Sequence, residues 1–131
     1  MIYTSYIARL KDLPEDDTKI LVTRYKPKGI TLSDTLLWAK ELAPSYELLK
    51  DWKDGKLSWE DYANRYLDEK FEDDKFMTSI VSLIALDQDE HDTYLLCYEK
   101  DDTNCHRSLL RLILEENGVE CKEYIPPERR N

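Results

Sequence analysis

The chain has 131 residues, of which 41% are hydrophobic and 36% are charged, and its formal net charge at pH 7 is −9. This length and composition predict a single globular domain, residues 1–131, that buries a core without disulfides or metal. The negative charge opposes general binding to the phosphate backbone of nucleic acids, which clustered Lys and Arg normally provide. No apolar stretch approaches the ~18 residues needed to span a bilayer, so no membrane association is expected.

The sequence also predicts a reducing compartment. Residues 1–12 contain no basic region followed by an apolar one, so we expect no secretory signal and a cytoplasmic location. The three cysteines are an odd number in such a chain. We therefore expect them to be reduced and independent of one another.

Two strands are predicted at the start of the chain. Ile2 to Ile7 alternates β-branched and aromatic residues, and Lys19 to Arg24 forms a second strand after a turn at Pro14. The segment Tyr25 to Gly29 is predicted to be a loop because its proline and glycine do not continue a strand easily. Its lysines could contact a ligand, although ordinary solvated surface is the simpler interpretation.

Residues 31–86 have a helical pattern and are predicted to be a helical insertion. The predicted pieces are a short helix capped by Ser33 and carrying Leu36, Leu37 and Trp38, a helix from Pro44 to Gly55, a helix capped by Ser58, and a helix from Asp74 to Leu86.

The last third of the chain predicts a strand, a loop and a helix that form an anion site. Tyr94 to Tyr98 is an uninterrupted apolar run, as in strands covered on both faces. Asn104 can cap the next helix, which brings Cys105, His106 and Arg107 onto its first turn. There the free backbone N–H groups and the helix dipole favour an anion.

Asn117-Gly118 is a typical helix stop, and the stretch from Val119 to Ile125 predicts a short edge strand before a tail from Pro126 to Asn131. A strand, a crossover helix and a strand indicate the α/β class. We predict a three-layer Rossmann-like domain with a small, mainly parallel sheet of four strands and helices on both faces.

Three short motifs resemble a known family. Cys97-Tyr98-Glu99-Lys100 followed by Cys105-His106-Arg107-Ser108 is similar to the signature of the bacterial and phage family called domain of unknown function 488. Ile2 to Tyr6 resembles its first strand, and Leu42 to Tyr46 a segment near the middle of many members. The resemblance implies a small α/β domain with a pocket at these residues and implies no reaction.

Candidate site residues follow from these positions. Arg107 and Asn104 could bind an anion, although Arg107 could instead pair with Glu99 or another acid. His106 and Glu99 could move protons, Glu99 could also bind ribose hydroxyls, and Cys105 could be a nucleophile. Each of these three also has a purely structural interpretation. Further candidate ligand contacts at the first strand are Thr4, Ser5 and Tyr6.

No metal or cofactor is expected, because no pair of cysteines or histidines has the spacing of a structural zinc site. The first functional hypothesis is an enzyme that acts on a nucleotide or another phosphorylated small molecule. The alternative is a non-catalytic protein that sequesters such a ligand, and a homo-oligomer could form through contacts of the helical insertion. A protein-interaction module that uses the acidic surface is a third hypothesis.

Overall fold

The computed structural model describes residues 1–127 and contains one sheet of five parallel strands in the order β3-β2-β4-β1-β5. The central strand β4 is buried along its whole length, as its apolar run predicts. The parallel α/β prediction is confirmed, with five strands in place of four. The strands are β1 (Ile2–Tyr6), β2 (Thr18–Leu21), β3 (Leu36–Trp38), β4 (Thr93–Cys97) and β5 (Cys121–Glu123).

Four α-helices pack on one face of the sheet and enclose the larger apolar core. The opposite face is covered by the 3-10 helix Ile7–Asp12 and by loops, over a smaller core that includes Leu21, Tyr94 and Leu96. The three layers are therefore unequal. The helices are α1 (Tyr46–Lys53), α2 (Trp59–Phe71), α3 (Asp74–Leu86) and α4 (His106–Glu116).

Side-chain caps fix where the helices of the insertion begin. Ser45 and Ser58 accept hydrogen bonds from the backbone N–H groups of Leu48 and Asp61, which starts α1 and α2. Pro44 was predicted to be the first residue of this helix, but it precedes the cap residue Ser45 and lies outside α1. No helix within residues 1–127 combines the length and the apolar character needed to cross a bilayer.

The prediction of a short helix capped by Ser33 is wrong, because this segment contains a strand. The hydroxyl of Ser33 does accept a hydrogen bond from the backbone N–H of Leu36, as a helix cap would. The chain then becomes extended, and Leu36–Trp38 pairs with β2 as the edge strand β3. Tertiary pairing thus overrides a local signal that a cap and a turn share.

In the carboxyl-terminal part, the helix stop and the edge strand agree with their prediction, whereas the cap of α4 does not. Gly118, with φ 81°, follows α4, and β5 is the edge strand next to β1. Cys105 is the N-cap residue of α4 in place of Asn104, and its side chain makes no capping hydrogen bond. Of the predicted tail, residues 128–131 lie outside the described part of the chain.

Candidate functional site

A cavity of about 60 Å³ lies at the carboxyl ends of β2 and β4, the edge where open α/β sheets bind ligands. Four of the residues predicted from sequence line it, namely Glu99, Asn104, Cys105 and His106. Its walls come from the segment after β2, from α1 and α2, and from the loop between β4 and α4. The other lining residues are Thr23, Arg24, Tyr25, Pro44, Leu49, Trp52, Lys53, Tyr62, Cys97 and Tyr98.

Two cysteines meet at the base of this cavity. Cys97 is the last residue of β4, Cys105 precedes α4, and their Sγ atoms are 2.7 Å apart. All three cysteines of the chain are free and buried. The prediction of thiols independent of one another is wrong for this pair, because the β4–α4 turn brings both to the same end of the sheet.

The two sulfur atoms have different proton affinities. A hydrogen bond from Cys97 lowers the pKa of Cys105, and a hydrogen bond from His106 and the charge of its ring add to the effect, against the opposing effect of burial. Burial raises the pKa of Cys97, which keeps its proton. The contact between the sulfur atoms therefore favours ionisation of Cys105 over ionisation of Cys97.

The ring of His106 is held between the sheet and the cysteine pair. Its Nε2 lies 2.6 Å from the carbonyl oxygen of Val22, which only accepts, so Nε2 carries a proton. Nδ1 then faces Cys105 Sγ at 3.9 Å, where it can accept the thiol proton and then donate a hydrogen bond to the thiolate. The ring also packs near Tyr66, with centroids 6.0 Å apart. His106 is thus fixed in one orientation toward the thiol.

The side chain of Arg107 has no exposed surface, and it does not line the cavity. Nε and Nη2 bind the carboxylate of Glu123 at 3.0 and 2.8 Å, and Nη2 also donates to the carbonyl of Lys100. Nη1 donates to the carbonyl of Glu99 and to Cys97 Sγ, at 2.5 and 2.9 Å. All five N–H donors are therefore engaged within the protein. Arg107 contacts the cysteine pair from the side of the core, away from the cavity.

The predicted ligand contacts of β1 lie elsewhere. Thr4 is buried, donates to Glu123 and accepts from Arg111, while Ser5 is buried beside it. Tyr6 has Arg9 over its ring at 5.6 Å. None of the three β1 residues lines the cavity.

Several cavity residues were not predicted from sequence. Trp52 and Tyr62 form one wall with their rings 5.2 Å apart, although helical spacing made core the simpler interpretation for both, with base stacking as the alternative for Trp52. Arg24 and Lys53 add positive charge, and neither forms an ion pair within residues 1–127. Arg24 had a usable signal, since it follows a strand that ends at the same edge as Glu99.

A set of metal-ligand types also lies here. The ligand atoms of Cys97, Glu99 and Cys105 are within 4.8 Å of one another. The guanidinium of Arg107 already contacts Cys97 Sγ at 2.9 Å and lies 3.6 Å from Cys105 Sγ. Because the fixed positive charge of Arg107 beside both sulfur atoms would repel a metal cation, the set fits a metal ion poorly.

The fold and the cavity define a small parallel α/β protein with a buried pair of free cysteines at the carboxyl edge of its sheet. A family model described as the active DUF488-N3 subclade matches residues 2–118. The chain belongs to this family, so the resemblance to domain of unknown function 488 is confirmed. No curated protein and no solved structure matches the chain.

Proposed function

We propose that this protein is an enzyme that binds a nucleotide or another phosphorylated small molecule in the cavity and acts on it with Cys105 as the nucleophile. The observation that carries the proposal is the thiol of Cys105, which lines a cavity between Glu99 Oε2 at 3.5 Å and His106 Nδ1 at 3.9 Å. A thiol that contacts both a carboxylate and an imidazole has general bases beside it, and an adjacent general base activates cysteine nucleophiles.

The charges and rings around the mouth support a phosphorylated, ring-containing ligand. Arg24 and Lys53 can pair with phosphate oxygens, in a protein whose overall charge would otherwise repel them. Tyr25 and Tyr98, each about half exposed, can stack on a base, as can Trp52 on the wall.

The size of the cavity limits what enters it. Its volume is about 60 Å³, whereas a pocket that encloses a whole small-molecule ligand has roughly 300–1,000 Å³. Only the reacting group of a nucleotide fits inside, so the rest of the ligand would lie over the mouth. Glu99 is exposed at that boundary, where it can carry a proton between the reacting group and solvent.

Incubation with a panel of nucleotides and other phosphorylated compounds, read by mass spectrometry, tests the proposal. We expect a product and a covalent adduct on the peptide that contains Cys105. Cys105→Ser should abolish both, whereas Cys121→Ser, which removes a buried thiol outside the cavity, should leave both intact. Intact ligand recovered from a tight complex, unaffected by Cys105→Ser, would instead support the non-catalytic alternative.

A further inference from the structure

Cys97 and Cys105 are close enough to form a disulfide bond with each other. A disulfide bond is about 2.05 Å long, so sulfur atoms 2.7 Å apart need to approach by less than about 1 Å to bond. Both cysteines line the cavity, so a small reagent that enters it meets them together.

The backbone around the two cysteines is already fixed in position. Arg107 binds the carbonyls of Glu99 and Lys100, which follow Cys97 in the loop. Closer to α4, Asp102 forms an ion pair with Arg111. Bond formation between the sulfur atoms therefore needs side-chain rotation and no rearrangement of the loop.

The two thiols also differ in the way that a redox pair requires. The pKa of Cys105 is lowered, so it is the thiol that attacks an oxidant, whereas burial raises the pKa of Cys97, whose sulfur lies 2.7 Å away and can attack next. Arg107 Nη1 contacts both sulfur atoms, at 2.9 and 3.6 Å, and so stabilises negative charge on either one.

We propose that Cys97 and Cys105 form a redox-active pair that reduces small hydroperoxides and becomes a disulfide in doing so. The thiolate of Cys105 attacks one oxygen of the peroxide, the O–O bond breaks, hydroxide or alkoxide leaves, and Cys105 becomes a sulfenic acid. Cys97 then attacks the sulfenic sulfur, its proton joins the departing hydroxyl, and the S–S bond forms as water leaves. The two electrons that the thiols lose reduce the peroxide, and a small dithiol restores the thiols.

Hydrogen peroxide is the probe that fits the cavity, and the test uses the full chain without any nucleotide. After stoichiometric peroxide, we expect the free thiols of the denatured protein to fall from three to one, because the bond consumes two. Peptide mapping should link Cys97 to Cys105, and dithiothreitol should restore all the thiols. Three remaining thiols, or a bridge that includes Cys121, would overturn the proposal.

Two variants separate the steps. Cys97→Ser should stop at a sulfenic acid on Cys105, which dimedone traps, whereas Cys121→Ser should still form the disulfide and leave no free thiol. Equal dimedone labelling of the wild type and Cys97→Ser would contradict the resolving role of Cys97. Circular dichroism verifies that each variant is folded, and the wild-type thiol count needs no variant. Because no nucleotide is present, this proposal and the proposed function can fail independently.

Discussion

Arg107 and Glu123 form a bidentate ion pair, in which Nε lies 3.0 Å from Oε1 and Nη2 lies 2.8 Å from Oε2. Arg107 is fully buried at the start of α4, and Glu123 ends the edge strand β5 with 27% of its side chain exposed. The pair therefore connects the helix that carries Cys105 to the last strand of the sheet.

Glu123→Ala should lower the free energy of unfolding by ~3–5 kcal/mol, because it leaves a buried guanidinium without its counter-charge. Urea denaturation followed by circular dichroism measures the change. Glu120→Ala is the matched control, since Glu120 is exposed and forms a surface ion pair with Lys122, so its loss should have little effect. Equal stability of the two variants would show that the buried pair is not needed for folding.

The alkylation rate of Cys105 should be nearly independent of pH between about pH 6 and 8, since its thiolate persists well below the usual thiol pKa of ~8.5. Cys97→Ala removes the hydrogen bond that lowers this pKa most. In that variant the pKa of Cys105 rises, and the rate should increase as pH increases toward the new value.

Iodoacetamide labelling with mass spectrometry measures these rates peptide by peptide. Cys121 is the internal control, because burial raises its pKa to about 12 and its thiolate is scarce throughout this range. A wild-type profile that climbs steadily toward pH 8.5 would contradict a stabilised thiolate on Cys105.

Arg24→Ala should weaken the tightest-binding nucleotide of the panel by ten- to hundred-fold, which corresponds to the loss of ~1.5–3 kcal/mol from one charged hydrogen bond. Isothermal titration calorimetry measures the affinity. Lys28→Ala removes a positive charge from the same loop, but Lys28 does not line the cavity. The affinity of this variant for the nucleotide should therefore match that of the wild type. Equal weakening by both variants would indicate only a general charge effect.

Tyr66→Phe should destabilise the protein by ~1–3 kcal/mol, because it removes the buried hydroxyl that donates to the carbonyl of Leu42 at 2.7 Å. Thermal and urea denaturation both report the loss. Tyr46→Phe makes the same chemical change at a half-exposed position and should leave the stability unchanged. A Tyr66→Phe variant as stable as the wild type would imply that water replaces the hydroxyl.

The sequence predicted the strand, loop and helix of the site because each leaves a local signal. The apolar run Tyr94 to Tyr98 and the stop at Asn117-Gly118 are local features, and they bracket the turn that presents Cys105 and His106. The three-residue strand β3 was missed because so short a segment carries no periodicity. Its preceding Ser33 makes the same hydrogen bond in a turn as in a helix cap.

Side-chain direction was beyond the reach of sequence. Whether Arg107 faces the cavity or the core depends on Glu123, which comes into contact only when β5 pairs with β1. Trp52 and Tyr62 likewise have the spacing of core residues. They line the cavity because α1 and α2 pack over the end of the sheet, a long-range arrangement that periodicity does not encode.

The lengths of the outer strands have a consequence for self-association. Both edges of the sheet, β3 and β5, are only three residues long, so each presents few free N–H and C=O groups to another chain. Long, flat edges template amyloid-like stacking, and short ones are a device that suppresses it. Copies of this protein that associate would therefore meet through side chains, and Met77 and Val81 on α3 are exposed apolar groups available for such contact.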